Sequence, residues 1–356
     1  MNTLEKSWDV IVIGAGLGGL SAAAHLARAG QRVLVLEQHV FSGGYAHDFP
    51  RKVPGTDIVY HFDVALHQTG DLDPGRPMHR MLAGLGVLER LKLHRFDVVY
   101  RTRGTEHDLR VPAHADAYEE LLCSTYPDEA EGVRSLFARL RAIDRPAEQG
   151  GPSEEAMATM PLSLQQLMDE HVSDPRLQSI FATLWGYVGL LPRDCSAFLY
   201  ARMWATFHLG GTYYIAGGGR ALADAFVAVV EEHGGKVVVR RPVEAIRTVG
   251  GHVVGVTTRR HGDFDAPVVV SNAAAPLTFH DLLDDPDLAT ADLERVDSLP
   301  LSLSIHQAYV GLRGDAAKLG LEDRVDFVNP SYDFEDEARA LAEGDYRRQG
   351  YLLGNH

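Results

Sequence analysis

Three glycines, Gly14, Gly16 and Gly19, stand at the spacing GxGxxG directly after the apolar run VIVI at 10–13. That spacing suits a diphosphate: the first glycine permits a tight turn, the second lets the backbone approach the anion, and the third lets a helix pack closely on the strand. Gly18 leaves a further position of the same turn without a side chain. The anion then meets free N–H groups at the positive end of a helix, so no basic side chain is needed. Glu37 follows about twenty residues on, where a carboxylate can accept hydrogen bonds from ribose hydroxyls. Gly43 and Gly44 supply a second close backbone approach just beyond that acid.

The elements that must position these residues are legible around them. Val10 to Ile13 reads as a fully buried parallel strand, and Leu20, Ala23, Ala24 and Ala27 recur at helical spacing. Gly30 stands where a left-handed helix stop is expected, and Val33 to Leu36 reads as a second buried strand. His61, Asp63 and His67 invite a metal reading, but their spacing is neither that of one helix face nor a known zinc pattern. They are expected to form a polar lining, with no metal. Cys123 and Cys195 are the only cysteines, without CxxC spacing, which fits a reducing, cytoplasmic setting.

With 356 residues and 45% hydrophobic content the chain can bury a large core, and two domains are expected. The formal net charge of −15 argues against nucleic acid, or an anionic membrane, as an electrostatic partner. The opening MNTLEKSWD holds no apolar leader, and no run is long and apolar enough to span a bilayer. Any membrane contact is therefore expected to be peripheral.

The stretches VIVIGAGLGGLSAAAHLARAG and LEQHVFSGGYAHDF resemble the N-terminus of the FAD-dependent phytoene desaturase and retinol saturase group, within the amine-oxidase-like flavoprotein superfamily. Tyr45 stands where amine oxidases commonly carry an arginine after the paired glycines, and His47 matches a histidine of the saturase pattern. FDVALHQTG is similar to the segment leading towards the substrate cleft, with Ala65 where that group often has glycine. The GG…L…GG…V run from Gly217 to Val243 resembles the re-entry into the flavin domain, where the residue matching Val243 lies against adenine through its backbone. Val268 to Val270 reads as a buried strand, and Ser271 and Asn272 after it match the group's SNA-type motif.

The resemblance implies an α/β fold, with a Rossmann-like FAD-binding domain interleaved with an α+β substrate domain. Residues 1–70 and 206–280 would form the flavin domain, 71–205 a mostly helical substrate domain, and 281–356 an incomplete substrate-domain sheet. It implies FAD, held by Gly14, Gly16, Gly18, Gly19, Glu37, Gly43, Gly44, Val243, Ser271 and Asn272. Tyr45, His47 and His67 are the candidates for handling a proton. Members of the group continue past YLLGNH to a further glycine-containing flavin segment, so the chain is expected to stop short of it.

Elsewhere, helices are expected over 78–93, 118–126 and 131–143, with Ser163 capping another and a strand over LPLSLSIHQAYVGLRG carrying His306. The rings from Phe181 to Tyr214 read first as core between helices and second as an apolar slot for a lipophilic substrate. Gly217 to Gly219 could be an ordinary turn or a second phosphate site. The leading function is an FAD-dependent oxidoreductase acting on carbon–carbon double bonds of a polyene, carotenoid or retinoid-like molecule. The alternatives are a flavin amine or amino-acid oxidase, and a non-catalytic prenyl-binding escort of the GDP dissociation inhibitor type.

Overall fold

A computed structural model describes residues 5–146, 150–299, 305–314, 318, 324–345 and 347–355. The chain divides into two compact units: the first comprises Met1–His67, His79–His94 and Ile215–Leu301, the second Gln68–Met78, Arg95–Tyr214 and Ser302–His356. Segments 79–94 and 281–299, expected in the substrate domain, fall in the first unit, and 206–214, expected in the flavin domain, in the second.

The first unit is built on a parallel sheet of four strands, in the order Lys236–Val238, Val33–Leu36, Val10–Ile13, Val268–Ser271. VIVI and VLVL are apolar at every position because both faces are covered, and all eight residues are buried. On one face, Ile11, Ile13, Leu34 and Leu36 pack with Ile246, Val256 and Phe264 of an antiparallel meander, Val243–Val249, His252–Thr258 and Gly262–Asp265. Each such side chain, fully buried, contributes about 1.5–3 kcal/mol. The helix Leu17–Arg28 packs against the two central strands and against the helix Gly218–Glu232. Its buried line of Ala23, Ala24 and Ala27 permits that close approach, and Gly30, at φ +88°, ends it. One expectation fails here: Val268 is 49% exposed and Val269 and Val270 are half-buried, because this strand pairs only with Val10–Ile13 and forms the sheet's edge.

The second unit carries most of its helices between Ala115 and His208. It holds a four-stranded sheet in the order Tyr351–Asn355, Arg324–Val328, Val98–Arg103, Asp108–Pro112. The hairpin within 98–112 lies in the segment read as helix and loop; its alternation is broken by an irregularity between Val98 and Tyr100. The helices Ala115–Thr125 and Ala130–Asp144 cover the expected spans, and Ser163 caps Leu164–Asp169 in a reciprocal capping box with Gln166. The expected helix over 78–93 is only Pro77–Leu85, stopped by Gly86 at φ +74°. Of the strand expected to carry His306, residues 305–312 are exposed and irregular, and 300–304 lie outside the described residues. Phe181, Tyr200 and Trp204 are fully buried and pack with Tyr118 and Phe137, which makes the aromatic block mainly a core.

Candidate functional site

The glycine turn leaves the carboxyl edge of the parallel sheet at the point where neighbouring strands depart to opposite sides of Val10–Ile13. Such a switch point is where open α/β sheets bind ligands. Gly14 takes φ +91° and donates its N–H to Leu36 O at 2.8 Å. A Cβ on Gly19 would overlap the carbonyl oxygen of Gly14, and Cβ atoms on Gly16 or Gly18 would sit 2.7 Å from the Asn272 amide. Gly19 therefore has no room for a side chain, whereas at Gly16 and Gly18 the Asn272 amide would have to move. Gly16 caps the helix in extended conformation, and no side chain bonds that helix end.

Glu37, 8% exposed, closes the second strand beside the turn. Its Oε2 accepts the Ala15 N–H and its Oε1 the His39 N–H, both at 2.7 Å. These bonds fix the carboxylate at the strand's end, and each oxygen keeps a second lone pair. Gly43 donates to Ala15 O at 2.7 Å, and a Cβ on Gly44 would lie 3.0 Å from Gly16 Cα. Both glycines have positive φ, +112° and +60°. Asn272 donates its N–H to Ile13 O at 2.8 Å, while Ser271 Oγ lies 2.7 Å from Thr278 Oγ1. Val243 follows closely after Arg241, whose N–H donates to Glu37 O at 2.8 Å. Gly14, Gly16, Gly18, Gly19, Glu37, Gly43, Gly44, Ser271, Asn272 and the approach to Val243 are thus brought together at one sheet edge.

This cradle fits the adenosine diphosphate half of a dinucleotide. Glycine backbone and the Asn272 amide border an uncapped helix start, and a fixed carboxylate stands at the end of the neighbouring strand.

The second glycine turn has a different occupant. Gly217 and Gly218 take φ +89° and +68°, and a Cβ on Gly218 would overlap the Asp63 carboxylate. Gly219 lies against the Ala46 backbone, 2.9 Å from where its Cβ would be. Asp63 stands at the helix start, where an anion would bind, so the second-phosphate reading is corrected: these glycines serve packing.

Tyr45 is 82% exposed. His47 meets the Gly44 carbonyl through Nδ1, with its ring 5.0 Å from that of His39 and 6.1 Å from Phe41. His67 is half-buried at the end of the first segment of this unit. His61 is turned to Asp48, Nδ1 to Oδ2 2.6 Å, and Arg220 reaches the other Asp48 oxygen at 3.2 Å. Burial of Asp48 works to raise its carboxyl, but the hydrogen bonds from His61 and Arg220 outweigh it and hold the group below the usual carboxylate range. Arg220 also lies 5.1 Å over the Phe41 ring. No motif signals this Asp48–His61–Arg220 group, because its members come from a hairpin and a distant helix. Among the described residues no three histidine, cysteine or acidic side chains gather as a metal site would require.

The family model described as flavin containing amine oxidoreductase matches residues 17–307. All-trans-retinol 13,14-reductase of Danio rerio is 24% identical over 372 residues, covering 94% of this chain and 58% of that protein. Prolycopene isomerase 2, chloroplastic, of an Oncidium hybrid cultivar is 27% identical over 313 residues, covering 80% of this chain and 51% of its own length. The chain thus spans little more than half the length of these curated relatives. An oxidoreductase from Methanosarcina mazei has TM-score 0.60 at 22% identity, over 82% of this chain and 65% of its own, a likeness of fold alone.

Proposed function

The chain belongs to the flavin containing amine oxidoreductase family, and from that premise we propose an FAD-dependent oxidoreductase acting on carbon–carbon double bonds of a lipophilic polyene. Saturation, desaturation and isomerisation are all chemistries of that class. The observation that carries the reading is the intact diphosphate cradle, in a chain whose relatives are named for retinol reduction and prolycopene isomerisation. The escort reading is the weaker one because the whole GxGxxG turn and Glu37 are present.

In this reading Gly14, Gly16, Gly18 and Gly19 hold the diphosphate through backbone N–H groups and the helix dipole. Glu37 takes the ribose hydroxyls, Gly43 and Gly44 bring a second backbone strand to the turn, and Val243 meets the adenine. Ser271 and Asn272 close the cradle from the edge strand, Asn272 filling the space beside Gly16 and Gly18. The bound flavin ring would supply hydride exchange. Tyr45, His47 and His67 are the groups we assign to proton handling. His47 has its Nδ1 fixed by the Gly44 carbonyl, which orients the ring and leaves Nε2 as the working nitrogen. The substrate is lipophilic and small, and peripheral membrane contact would deliver it. No helix among the described residues is long and apolar enough to cross a membrane.

The test has two anaerobic arms: retinoid or carotenoid is added to the photoreduced flavoprotein, and amine to the oxidised flavoprotein, where substrate oxidation would bleach the flavin. Reoxidation or double-bond change with a polyene supports the reading. Turnover of amines alone transfers it to the amine oxidase alternative.

A further inference from the structure

Two arginine pairs, Arg240–Arg241 and Arg259–Arg260, are far apart in sequence and meet at one corner of the first unit. Val243 pairs with Thr258 across the meander, and Arg259 donates its N–H to Pro242 O at 3.1 Å. Lys6 joins them, its Nζ donating to the carbonyls of His261 at 2.9 Å and Asp263 at 3.0 Å. Lys6, Arg241 and Arg260 thus lie around His261, with Arg240 and Arg259 next to them in sequence, in a chain whose formal net charge is −15.

The backbone there is strained. Only three non-glycine residues among those described have positive φ, and two are Arg240, at +55°, and Arg260, at +69°. Such residues persist only where the surrounding structure holds them, and they cluster at binding sites. The charges are also largely uncompensated. Arg259 is paired with Glu244 at 2.6 Å, whereas Arg240, Arg241 and Arg260 have no carboxylate partner among the described residues. The other nearby acids are engaged: Asp263 with Thr257 and Arg247, and Glu37 with two backbone N–H groups. Arg241 Nε is buried without a hydrogen-bond partner. Burial first, then Arg241, Lys6 and Arg260, holds His261 below its ordinary range, as a net positive surrounding would.

FAD does not account for this corner. Its diphosphate belongs at the glycine turn, and its adenosine end carries no charge, yet Arg240 and Arg241 donate their N–H groups to His39 O and Glu37 O, beside the ribose acid. We propose that the double-arginine corner binds a phosphate monoester, borne by a soluble nucleotide or by a lipid headgroup. A monoester carries nearly two charges and three free oxygens, which suits several guanidinium forks at once, whereas a diester offers only two oxygens and one charge.

The experiment uses flavin-saturated protein at low salt. Binding of 2′-AMP is compared with adenosine, and binding of phosphatidylcholine vesicles containing phosphatidic acid with vesicles containing phosphatidylglycerol. The monoester member of at least one pair is expected to bind tenfold or more tightly than its counterpart, and the double variant Arg240→Asn/Arg260→Asn to lose that advantage. Asparagine tolerates the left-handed backbone, and the melting temperature and flavin absorbance of the variant verify its fold. A preference confined to 2′-AMP assigns a soluble ligand, and one confined to phosphatidic acid a lipid. No preference in either pair, or an unchanged preference in the variant, overturns the site. Flavin content is read separately, so a colourless protein would count against the FAD reading without deciding this one.

Discussion

The first unit holds two glycine-led helices that look alike in sequence and differ in use. Both Gly14–Gly19 and Gly217–Gly219 follow β-structure and open a helix, and both use positive φ to do so. Neither helix start has a side-chain cap, and at the first the side chain beside the turn is the neutral Asn272 amide. At the second, the Asp63 carboxylate and the Ala46 backbone fill the equivalent space. A glycine turn can receive a phosphate only where no fixed anion already stands at the helix start, and that depends on residues the motif does not contain.

Substitutions can break this contrast. Gly19→Val should have the largest effect, because even its Cβ overlaps the Gly14 carbonyl oxygen. Flavin retention should fall at least about a hundredfold, equivalent to more than about 2.7 kcal/mol, as measured by the 450 nm to 280 nm absorbance ratio. Retention at the wild-type level would remove the first turn's special status. Gly218→Ala meets Asp63 at positive φ and should lower stability by about 1–3 kcal/mol. The molecules that fold should still bind FAD with unchanged affinity, which fluorescence titration reads. A large loss of affinity there would make the two turns equivalent after all.

Glu37→Gln keeps the side chain's shape and removes its charge. About tenfold weaker FAD binding is expected, near the 1.4 kcal/mol of one charge-assisted hydrogen bond, with little change in melting temperature. The smallest effect concerns acid stability. Asp48 is held below the usual carboxylate range, so its contribution is fully present above the unfolded value of about 3.9 and is lost as the pH falls through the lower folded value. His61→Ala should lessen this acid-side loss by less than about 1 kcal/mol, since His61 is largely exposed. Melting curves between about pH 5 and 2 would show it.

The sequence disclosed those parts of the molecule whose physics is local. Val10–Ile13, its turn, Leu17–Arg28 and Val33–Leu36 form one uninterrupted stretch, and their pattern is dictated by burial on both faces and by steric limits at Gly14 and Gly19. What stayed hidden depended on partners far along the chain. The hairpin at 98–112 gains its place from Arg324–Val328, more than two hundred residues later, and Val268–Ser271 is an edge only because nothing pairs beyond it in the described sheet. Asp63 at the second helix start and Arg220 at Asp48 likewise join residues that no spacing rule connects. The aromatic block was ambiguous because core rings and slot-lining rings have the same composition, and packing around Trp204 resolves it mostly towards core.

The central claim is that the first turn grips the adenosine diphosphate half of FAD. Competition titration of bound FAD with ADP and with FMN tests it most directly, because ADP carries only that half and FMN lacks it. The account predicts displacement by ADP and none by FMN at equal concentration. Displacement by FMN with ADP inert, or no FAD binding at all, would contradict it.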